Sequence, residues 1–264
     1  MTLKTQQLSK PFGILCYRES GQGEPLVLLH GVGMQSATWT PQIDYFSQTK
    51  RVIALDMPGH GGSSRLPEDS SLGDFVDWLQ AALDALELDK VNLAGHSMGA
   101  LIAGGFAIHY PERVSRVAVL NGVHNRSAQA RVAAMSRAEQ ISDGDIDIES
   151  PLTRWFDDSD ADQAIRAKVK GWLLEVDLQG YATAYKAFAR DDQMFCARWG
   201  EVSCPMLALT ADGDPNSTPD MSIAMAAAAS NGQAEVIKGH RHMVNLTAPE
   251  AVNRRLEAWL KKPC

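Results

Sequence analysis

The chain has 264 residues, of which 45% are hydrophobic and 22% are charged, as expected for a globular protein with one large domain or a core with an insertion. Its 25 basic and 32 acidic residues give a formal charge of −7, which argues against binding to nucleic acid or anionic membranes. No segment has the apolar length of a signal peptide or a membrane helix, and the four cysteines are scattered. These features predict a cytoplasmic protein with reduced thiols.

Short apolar runs recur along the chain and predict strands that alternate with helices. The first, Gly13–Glu19, is predicted to be an antiparallel edge strand. The following runs are continuously apolar, as a sheet covered on both faces requires. They are Pro25–His30, Arg51–Asp56, Val91–Gly95, Val117–Asn121, Pro205–Thr210 and Ala234–Lys238. Alternation of such strands with helices predicts an α/β fold with a mainly parallel sheet.

Two of the intervening helices have start signals. Ser71 with Asp74 three residues later resembles a capping box, in which side chains satisfy the free N–H groups of the first turn. Thr218 followed by Pro219 predicts another helix start, and that helix is expected to end near Gly232.

The last helix has a predicted cap and a predicted buried face. Thr247 and Glu250 have the spacing of a capping box. The apolar residues that follow at helical spacing are Val252, Leu256 and Trp259, which are expected to face the core.

The strand–helix alternation stops between Gly122 and Arg198. This stretch has helical periodicity, no clear strand, and many Asp, Arg and Ala residues. We therefore predict a core formed by residues 1–122 and 199–264, with residues 123–198 inserted as a helical cap over an active site.

Gly95-His96-Ser97-Met98-Gly99 has the pattern of a nucleophile elbow. It follows a predicted strand and precedes a predicted helix, so Ser97 would project alone into a cleft from a tight turn that needs both glycines. The alternative is a glycine-rich turn with a passive serine. The context favours a nucleophilic Ser97.

A serine nucleophile needs a base, and the base needs an orienting acid. Where the serine lies on a nucleophile elbow, the acid follows it in the chain and the histidine comes last, each after a later strand. Asp212 and Asp214 follow one predicted strand, and His240 and His242 follow the next. Spacing does not separate the two aspartates or the two histidines.

An oxyanion hole would complete the site with two N–H donors. The backbone N–H of Met98, directly after the nucleophile, is the first candidate, and that of Val32, in the loop after the first core strand, is the second. The alternative for this loop is a simple glycine turn. The Asp56–Ser63 segment is interpreted as a structural turn. The acidic run Asp143–Glu149 lacks the glycine of a calcium loop, so no metal is predicted.

Several segments together resemble the α/β-hydrolase superfamily along most of the chain. They are HGVGM at 30–34, DMPGHGGS at 56–63, GHSMG at 95–99, HYPERV at 109–114 and HMVNLTAPE at 242–250. The resemblance implies the α/β-hydrolase fold: a mainly parallel eight-stranded sheet flanked by helices, with a helical lid. It also selects Asp214, which a Thr-Pro pair follows, and His242, seven residues before Pro249, so that the implied catalytic triad is Ser97, Asp214 and His242.

The predicted cap resembles that of 3-oxoadipate enol-lactonases in residues 152–156 and 180–192. The resemblance implies that Trp155 and Phe156 bind substrate. The chain departs from that subfamily at His96, where those enzymes usually have Leu, at Ala211, where Gly is common, and at Thr247, where Glu is common.

Three functional hypotheses follow. The first is hydrolysis of a small carboxylic ester or lactone through an acyl-enzyme, as in an enol-lactonase of aromatic catabolism. The second is hydrolysis of a carbon–carbon bond in a vinylogous diketone from ring cleavage by the same triad. The third is a hydrolase-fold ligand receptor, which an intact triad disfavours. No metal or organic cofactor is implied, the expected partner is a small molecule, and a homo-oligomer is compatible with the sequence.

The cap mixes aromatic residues with cations, which predicts a substrate with a carboxylate. The cations considered are Arg154, Arg166, Lys186 and Arg190. A charge-assisted bond to a desolvated carboxylate contributes roughly 1.5–3 kcal/mol. The alternative is that these side chains pair with the many aspartates of the cap on its surface.

Overall fold

The apolar runs lie side by side in one sheet. We describe a computed structural model that covers residues 2–263. Its strands are β1 (Leu3–Gln7), β2 (Ile14–Ser20), β3 (Pro25–Leu29), β4 (Arg51–Leu55), β5 (Val91–His96), β6 (Val114–Leu120), β7 (Met206–Ala211) and β8 (Gly232–Ile237). They follow the spatial order β1-β2-β4-β3-β5-β6-β7-β8. All pairings are parallel except those of β2, which is antiparallel to both β1 and β4. The predicted fold class is confirmed.

Helices cover both faces of the sheet and insert before β7. They are α1 (Thr40–Phe46), α2 (Leu72–Ala85), α3 (Met98–His109), α4 (Ala128–Ser142), α5 (Glu149–Trp155), α6 (Asp160–Glu175), α7 (Leu178–Asp191), α8 (Pro219–Ala228), α9 (Val244–Thr247) and α10 (Pro249–Leu260). None of the helices within residues 2–263 is long and apolar enough to cross a membrane.

The two faces of β3 explain why the strands are continuously apolar. Val27 and Leu29 pack in one core cluster with α2 and α3, whereas Leu26 and Leu28 pack in another with α1 and α10. Successive side chains of a strand point to opposite faces, so burial of both faces requires apolar residues at every position.

Helix α10 buries Val252, Leu256 and Trp259 as predicted, but its predicted cap is wrong. The N-cap is Ala248, because α9 runs through Thr247 and the Thr247 hydroxyl lies 3.1 Å from His240 Nδ1 instead.

Three other predictions concern the ends of elements and the edge of the sheet. The capping box of Ser71 and Asp74 at α2 is confirmed. Helix α8 ends at Ala228, earlier than predicted, because Gly232 already begins β8. Strand β2 is not at the edge: the polar β1, which was not predicted, pairs outside it.

Helices α4 to α7 lie in the predicted cap segment between β6 and β7. Helices α5 and α6, with Phe156 directly after α5, contribute Leu152, Phe156, Val169 and Leu173 to a cluster that also contains Met34 and Met243 from core loops. This cluster attaches the segment to the carboxyl edge of the sheet. The boundaries of core and cap stay a prediction.

Candidate active site

Ser97 lies at the turn between β5 and α3 in a strained conformation. Its φ of 55° and ψ of −118° are rare for a residue with a side chain. The turn is tight: a Cβ on Gly99 would lie 2.5 Å from the carbonyl oxygens of Leu29 and His30. The backbone is held by a 2.8 Å hydrogen bond from Ser97 N to the oxygen of Leu120 in β6. These are the features of a nucleophile elbow.

Asp214 and His242 form a buried pair at the ends of β7 and β8. His242 Nδ1 lies 2.7 Å from Asp214 Oδ2. Asp214 also accepts hydrogen bonds of 2.8 Å from the Asn121 side chain and from the backbone N–H of Asn216. Burial alone would raise the pKa of the Asp214 carboxyl, but the interactions with His242, Asn121 and Asn216 outweigh it and lower that pKa below its usual value. Asp214 therefore stays ionised beside the imidazole.

The other two candidates have structural partners. Asp212 is exposed and accepts a 2.8 Å hydrogen bond from the backbone N–H of Gly239. His240 is half-buried and contacts Thr247. The structure thus pairs Asp214 with His242 and uses Asp212 to hold the loop that carries both histidines.

The two predicted oxyanion donors flank Ser97. Met98 is the first residue of α3, where an N–H has no partner within the helix. Among residues 2–263, no hydrogen bond from the backbone N–H of Val32 is found, whereas the N–H of its neighbour Gly33 is bonded to His60. Val32 and Ser97 line the same cavity. The oxyanion roles of Val32 and Met98 remain proposals.

Two buried histidines join the Val32 loop to the turn after β4. His30 Nε2 accepts from Met57 N at 2.9 Å, and its Nδ1 lies 2.7 Å from the oxygen of Gly31. His60 Nε2 accepts from Gly33 N at 3.0 Å, and its Nδ1 lies 2.9 Å from the oxygen of Pro58. Each ring must accept at Nε2 and donate at Nδ1, so each must be neutral. The turn is structural, as predicted, and it supports the candidate oxyanion loop.

We expect the free energy of unfolding to fall steeply in weak acid. Burial lowers the pKa of His30 to about 4, and mainly burial lowers those of His60 and His96 to about 3. In the unfolded chain each pKa is about 6.5. Below pH 6.5 the unfolded chain therefore binds more protons than the folded one. The stabilisation is complete above pH 6.5 and falls by about 1.4 kcal/mol per pH unit for each such histidine as the pH decreases.

Urea unfolding at several pH values between 6.5 and 5 measures this slope. In the variant His96→Leu, which carries the residue usual in enol-lactonases, this slope should be smaller by the contribution of about one proton. An equal slope in the wild type and in His96→Leu would contradict the assignment of a neutral, buried His96.

The cavity above Ser97 has a volume of about 450 Å³. Its wall contains aromatic rings, cations and small residues from the cap together with the catalytic candidates from the core. The lining residues are Val32, Ser97, Val123, Arg126, Ser127, Ala130, Ala133, Ala134, Arg137, Pro151, Arg154, Trp155, Tyr181, Tyr185, Phe188, Pro215, Asn216, Met221 and His242. Ser97 and His242 therefore line one cavity, although no hydrogen bond joins their side chains among those of the described residues. Such contacts often tighten only when substrate binds.

The two residues predicted to bind substrate lie in different surroundings. Trp155 lines the cavity, whereas Phe156 is only 2% exposed and packs in the apolar cluster of α5 and α6. The two residues are adjacent at the end of α5, so their side chains point in different directions.

Of the four predicted cap cations, only Arg154 lines the cavity. Arg166 pairs with Glu149 at 3.2 Å and Arg190 with Asp191 at 2.8 Å. Lys186 is exposed. The alternative of surface pairing thus holds for both of these arginines.

The sequence contains three functional candidates that were not predicted. Asn121 orients Asp214, and Arg126 and Arg137 line the cavity. Arg126 and Arg137 share one stripe of the α4 region with cavity-lining alanines at helical spacing, and this spacing was a usable signal. For Asn121 the only usable feature in the sequence was a polar residue at the carboxyl end of a predicted strand.

Within the described part of the chain two of the three cavity arginines lack a salt bridge, although the Asp147 carboxylate interacts electrostatically with both. Arg126 forms a buried ion pair with Asp192 at 3.3 Å. Arg137 and Arg154 form no salt bridge with any described residue. Burial and the nearby charge of Arg137 lower the pKa of Arg154. Burial also raises the pKa values of Tyr181 and Tyr185, so both phenols stay protonated as donors. The cavity wall is therefore suited to anions.

Comparison with known families supports the fold. A sequence model described as the alpha/beta hydrolase fold matches residues 24–249. A thermophilic esterase from Thermogutta terrifontis, solved with malate bound, superposes with a TM-score of 0.89 over 99% of this chain and 98% of that one, at 24% sequence identity.

Two curated relatives come from Acinetobacter baylyi. The "(E)-2-((N-methylformamido)methylene)succinate hydrolase" of that organism is 52% identical over 261 residues, 99% of each chain. Its "3-oxoadipate enol-lactonase 2" is 28% identical over 254 residues, 94% of this chain and 93% of the relative. Similarity to the hydrolase is thus much greater than similarity to the enol-lactonase.

Proposed function

The chain belongs to the α/β hydrolase fold family and is a hydrolase, and we propose that it cleaves an acyl group from a small acyclic dicarboxylate through Ser97, His242 and Asp214. The observation that carries this proposal is the position of Ser97, at a strained elbow beneath a cavity lined by Arg137 and Arg154, which form no salt bridge within residues 2–263.

The relative at 52% identity suggests the type of bond. Its named substrate is a succinate that carries an N-methylformamide nitrogen on a carbon–carbon double bond, and it contains neither an ester nor a lactone. This favours the second hypothesis, a conjugated acyclic substrate, over the ester or lactone hypothesis, but the bond proposed here is carbon–nitrogen and not the carbon–carbon bond of that hypothesis. In a vinylogous diketone the leaving atom is carbon, and in an N-formyl enamine it is nitrogen. In both compounds the departing electron pair is delocalised into a conjugated carbonyl or carboxylate group.

The proposed reaction has two steps. His242 takes the Ser97 proton, Ser97 Oγ attacks the acyl carbonyl, and the N–H groups of Val32 and Met98 hold the oxyanion. The bond to the conjugated nitrogen breaks, and His242 returns the proton to that nitrogen. Water, deprotonated by His242, then releases the acyl group as a carboxylic acid and regenerates Ser97. For an N-formyl substrate the products are formate and the enamine.

The cations of the cavity explain why a dicarboxylate would bind to a protein of net charge −7. The net negative charge of the protein repels anions, but at ordinary ionic strength salt screens this repulsion beyond about 8–10 Å. Arg137 and Arg154 act at contact distance, and their mutual repulsion is relieved when carboxylates bind beside them. The two carboxylates of a succinate match two arginines.

We expect Arg154→Gln and Arg137→Gln each to lower kcat/KM for an N-formyl enamine of succinate by roughly 10- to 150-fold, the equivalent of 1.5–3 kcal/mol for a charge-assisted hydrogen bond. The dimethyl ester of the same compound should change by less than about 3-fold. Arg166→Gln is the matched control, because Arg166 lies in the same segment but pairs with Glu149 outside the cavity wall.

The assay compares the dicarboxylate with its neutral ester at several salt concentrations. A preference for the neutral compound at every salt concentration would exclude a carboxylate-binding cavity. A vinylogous diketone and 3-oxoadipate enol-lactone are assayed in parallel, so that carbon–carbon or lactone cleavage is detected directly.

A further inference from the structure

Trp155 of α5 lies over the ring of His242. The ring centroids are 5.7 Å apart and the planes are inclined at 27°, so the two rings are stacked. Trp155 is half-buried and also lines the cavity. The face of an indole ring has a negative electrostatic potential and attracts a cation within about 6 Å of its centroid. Trp155 must therefore interact more favourably with protonated His242 than with neutral His242.

The end of α5 is attached to the loop that carries His242. The guanidinium of Arg241 donates a 2.9 Å hydrogen bond to the carbonyl oxygen of Thr153. Thr153, Arg154 and Trp155 are consecutive: the first holds the His242 loop, the second lines the cavity, and the third stacks on the imidazole. One short helix thus joins the anion-binding wall to the candidate base.

The other neighbours of His242 differ in their effect on a positive charge. Asp214 favours the imidazolium through its carboxylate. His96 donates a 2.8 Å hydrogen bond from Nε2 to the backbone oxygen of His242. Burial, and to a smaller extent the nearby His242, lower the pKa of His96 to about 3, so this ring stays neutral. The guanidinium groups of Arg126, Arg137 and Arg154 line the same cavity as His242, and Arg241 directly precedes His242 in the chain. The imidazole therefore lies between one carboxylate and a cavity wall that carries cations.

We propose that Trp155 is a positioning residue that stabilises the imidazolium form of His242 against the cations of the cavity. The inference rests on the proposed function, in which His242 accepts the Ser97 proton. During that transfer the positive charge develops between the Asp214 carboxylate and the indole face. The stabilisation applies when the charge is present, so it lowers the barrier rather than the energy of bound substrate.

The test uses Trp155→Phe and Trp155→Leu, with Trp172→Leu as the matched control. Trp172 is a cap tryptophan that contacts Lys168 and does not line the cavity. We expect Trp155→Leu to lower kcat by roughly 2- to 30-fold with little change in KM, and Trp155→Phe to lie between it and the wild type. The midpoint of the acidic limb of kcat/KM should move to lower pH by about 0.4–1.5 units in Trp155→Leu, because the base then protonates less readily. Trp172→Leu should move neither quantity.

Two further measurements separate this inference from the proposed function. The pH profiles of kcat/KM are recorded with a p-nitrophenyl ester as well as with the dicarboxylate. The effect of Trp155 can then be measured even if the proposed substrate class is wrong. The His242 ring is also titrated by NMR in the Ser97→Ala protein, with and without Trp155→Leu, and its midpoint should fall in the double variant.

The contradicting results are equally distinct. Lower activity with an unmoved acidic limb and an unmoved NMR midpoint would mean that Trp155 only packs, and would overturn the inference. A rise confined to KM would make Trp155 a substrate contact alone and would also overturn it. If Trp155→Leu does not fold, the Phe variant must still shift the midpoint. Undiminished activity in Ser97→Ala would instead reject the proposed function.

Discussion

Replacement of Ser97 by alanine is expected to remove almost all turnover, by a factor on the order of 10⁶. Ser97 Oγ is the only atom proposed to form the covalent acyl bond, so neither the base nor the oxyanion donors can compensate for its loss. The fold should remain intact. The hydroxyl lines a cavity rather than a packed core, and alanine at φ 55° is no more strained than serine. The free energy of unfolding should change by less than about 1 kcal/mol.

Steady-state kinetics and urea unfolding measure both parts of this prediction. Labelling with a fluorophosphonate gives an independent result: the wild type should be modified on the peptide that contains Ser97, and the variant should not react there. Undiminished hydrolysis by a folded Ser97→Ala protein would reject the nucleophile assignment, whereas loss of activity together with unfolding would show a structural role.

The core of the fold could be predicted because its physical requirements are local. Strand β3 is buried on both faces, and this requires the continuous apolar run that the sequence displays. The polar residues of β1 have no such pattern, because this edge strand is mostly exposed and depends on pairing with β2. The prediction of a helix N-cap at Thr247 was wrong for a related reason. A capping box describes local chemistry, and the Thr247 hydroxyl has a tertiary partner in His240.

The chain order of the catalytic candidates could be predicted from the sequence, but the residues that line the cavity could not. The tight turn at Ser97 needs glycines on both sides, and these glycines form a motif that is visible in the sequence alone. The choice of Asp214 over Asp212 came from family resemblance. Its physical cause is the set of donors that converge on Asp214 from Asn121, Asn216 and His242. That convergence depends on how three loops meet.

The substrate wall was the least predictable part because it depends on how cap helices are oriented over the core. Arg154 and Arg166 looked equivalent in the sequence, yet one lines the cavity and the other pairs with Glu149. Arg137 enters the wall because α4 turns one face towards Ser97, and Arg126 enters it from the segment just before α4. Helical periodicity shows which residues share a face, but it does not show what that face covers.

Replacement of His242 by alanine is expected to reduce turnover about as much as replacement of Ser97, whereas His240→Ala should keep at least a tenth of the activity. Of the histidines within residues 2–263, only His242 is hydrogen-bonded to Asp214, at 2.7 Å, and only His242 lines the cavity with Ser97. His240 contacts Thr247 and does not line the cavity, so its loss affects only the loop. The pair is a matched comparison, since both variants remove the same ring from positions two residues apart.

The double variant Ser97→Ala/His242→Ala provides the most discriminating measurement. Residues of a catalytic triad act as a unit, so removal of the second should cost little once the first is gone. We therefore expect the double variant to be about as slow as either single variant. Losses that multiplied would mean that His242 contributes independently of Ser97, for example by binding substrate. If His240→Ala were the inactive protein and His242→Ala the active one, the assignment of the base would be wrong by two residues. The ion pair with Asp214 would then be purely structural.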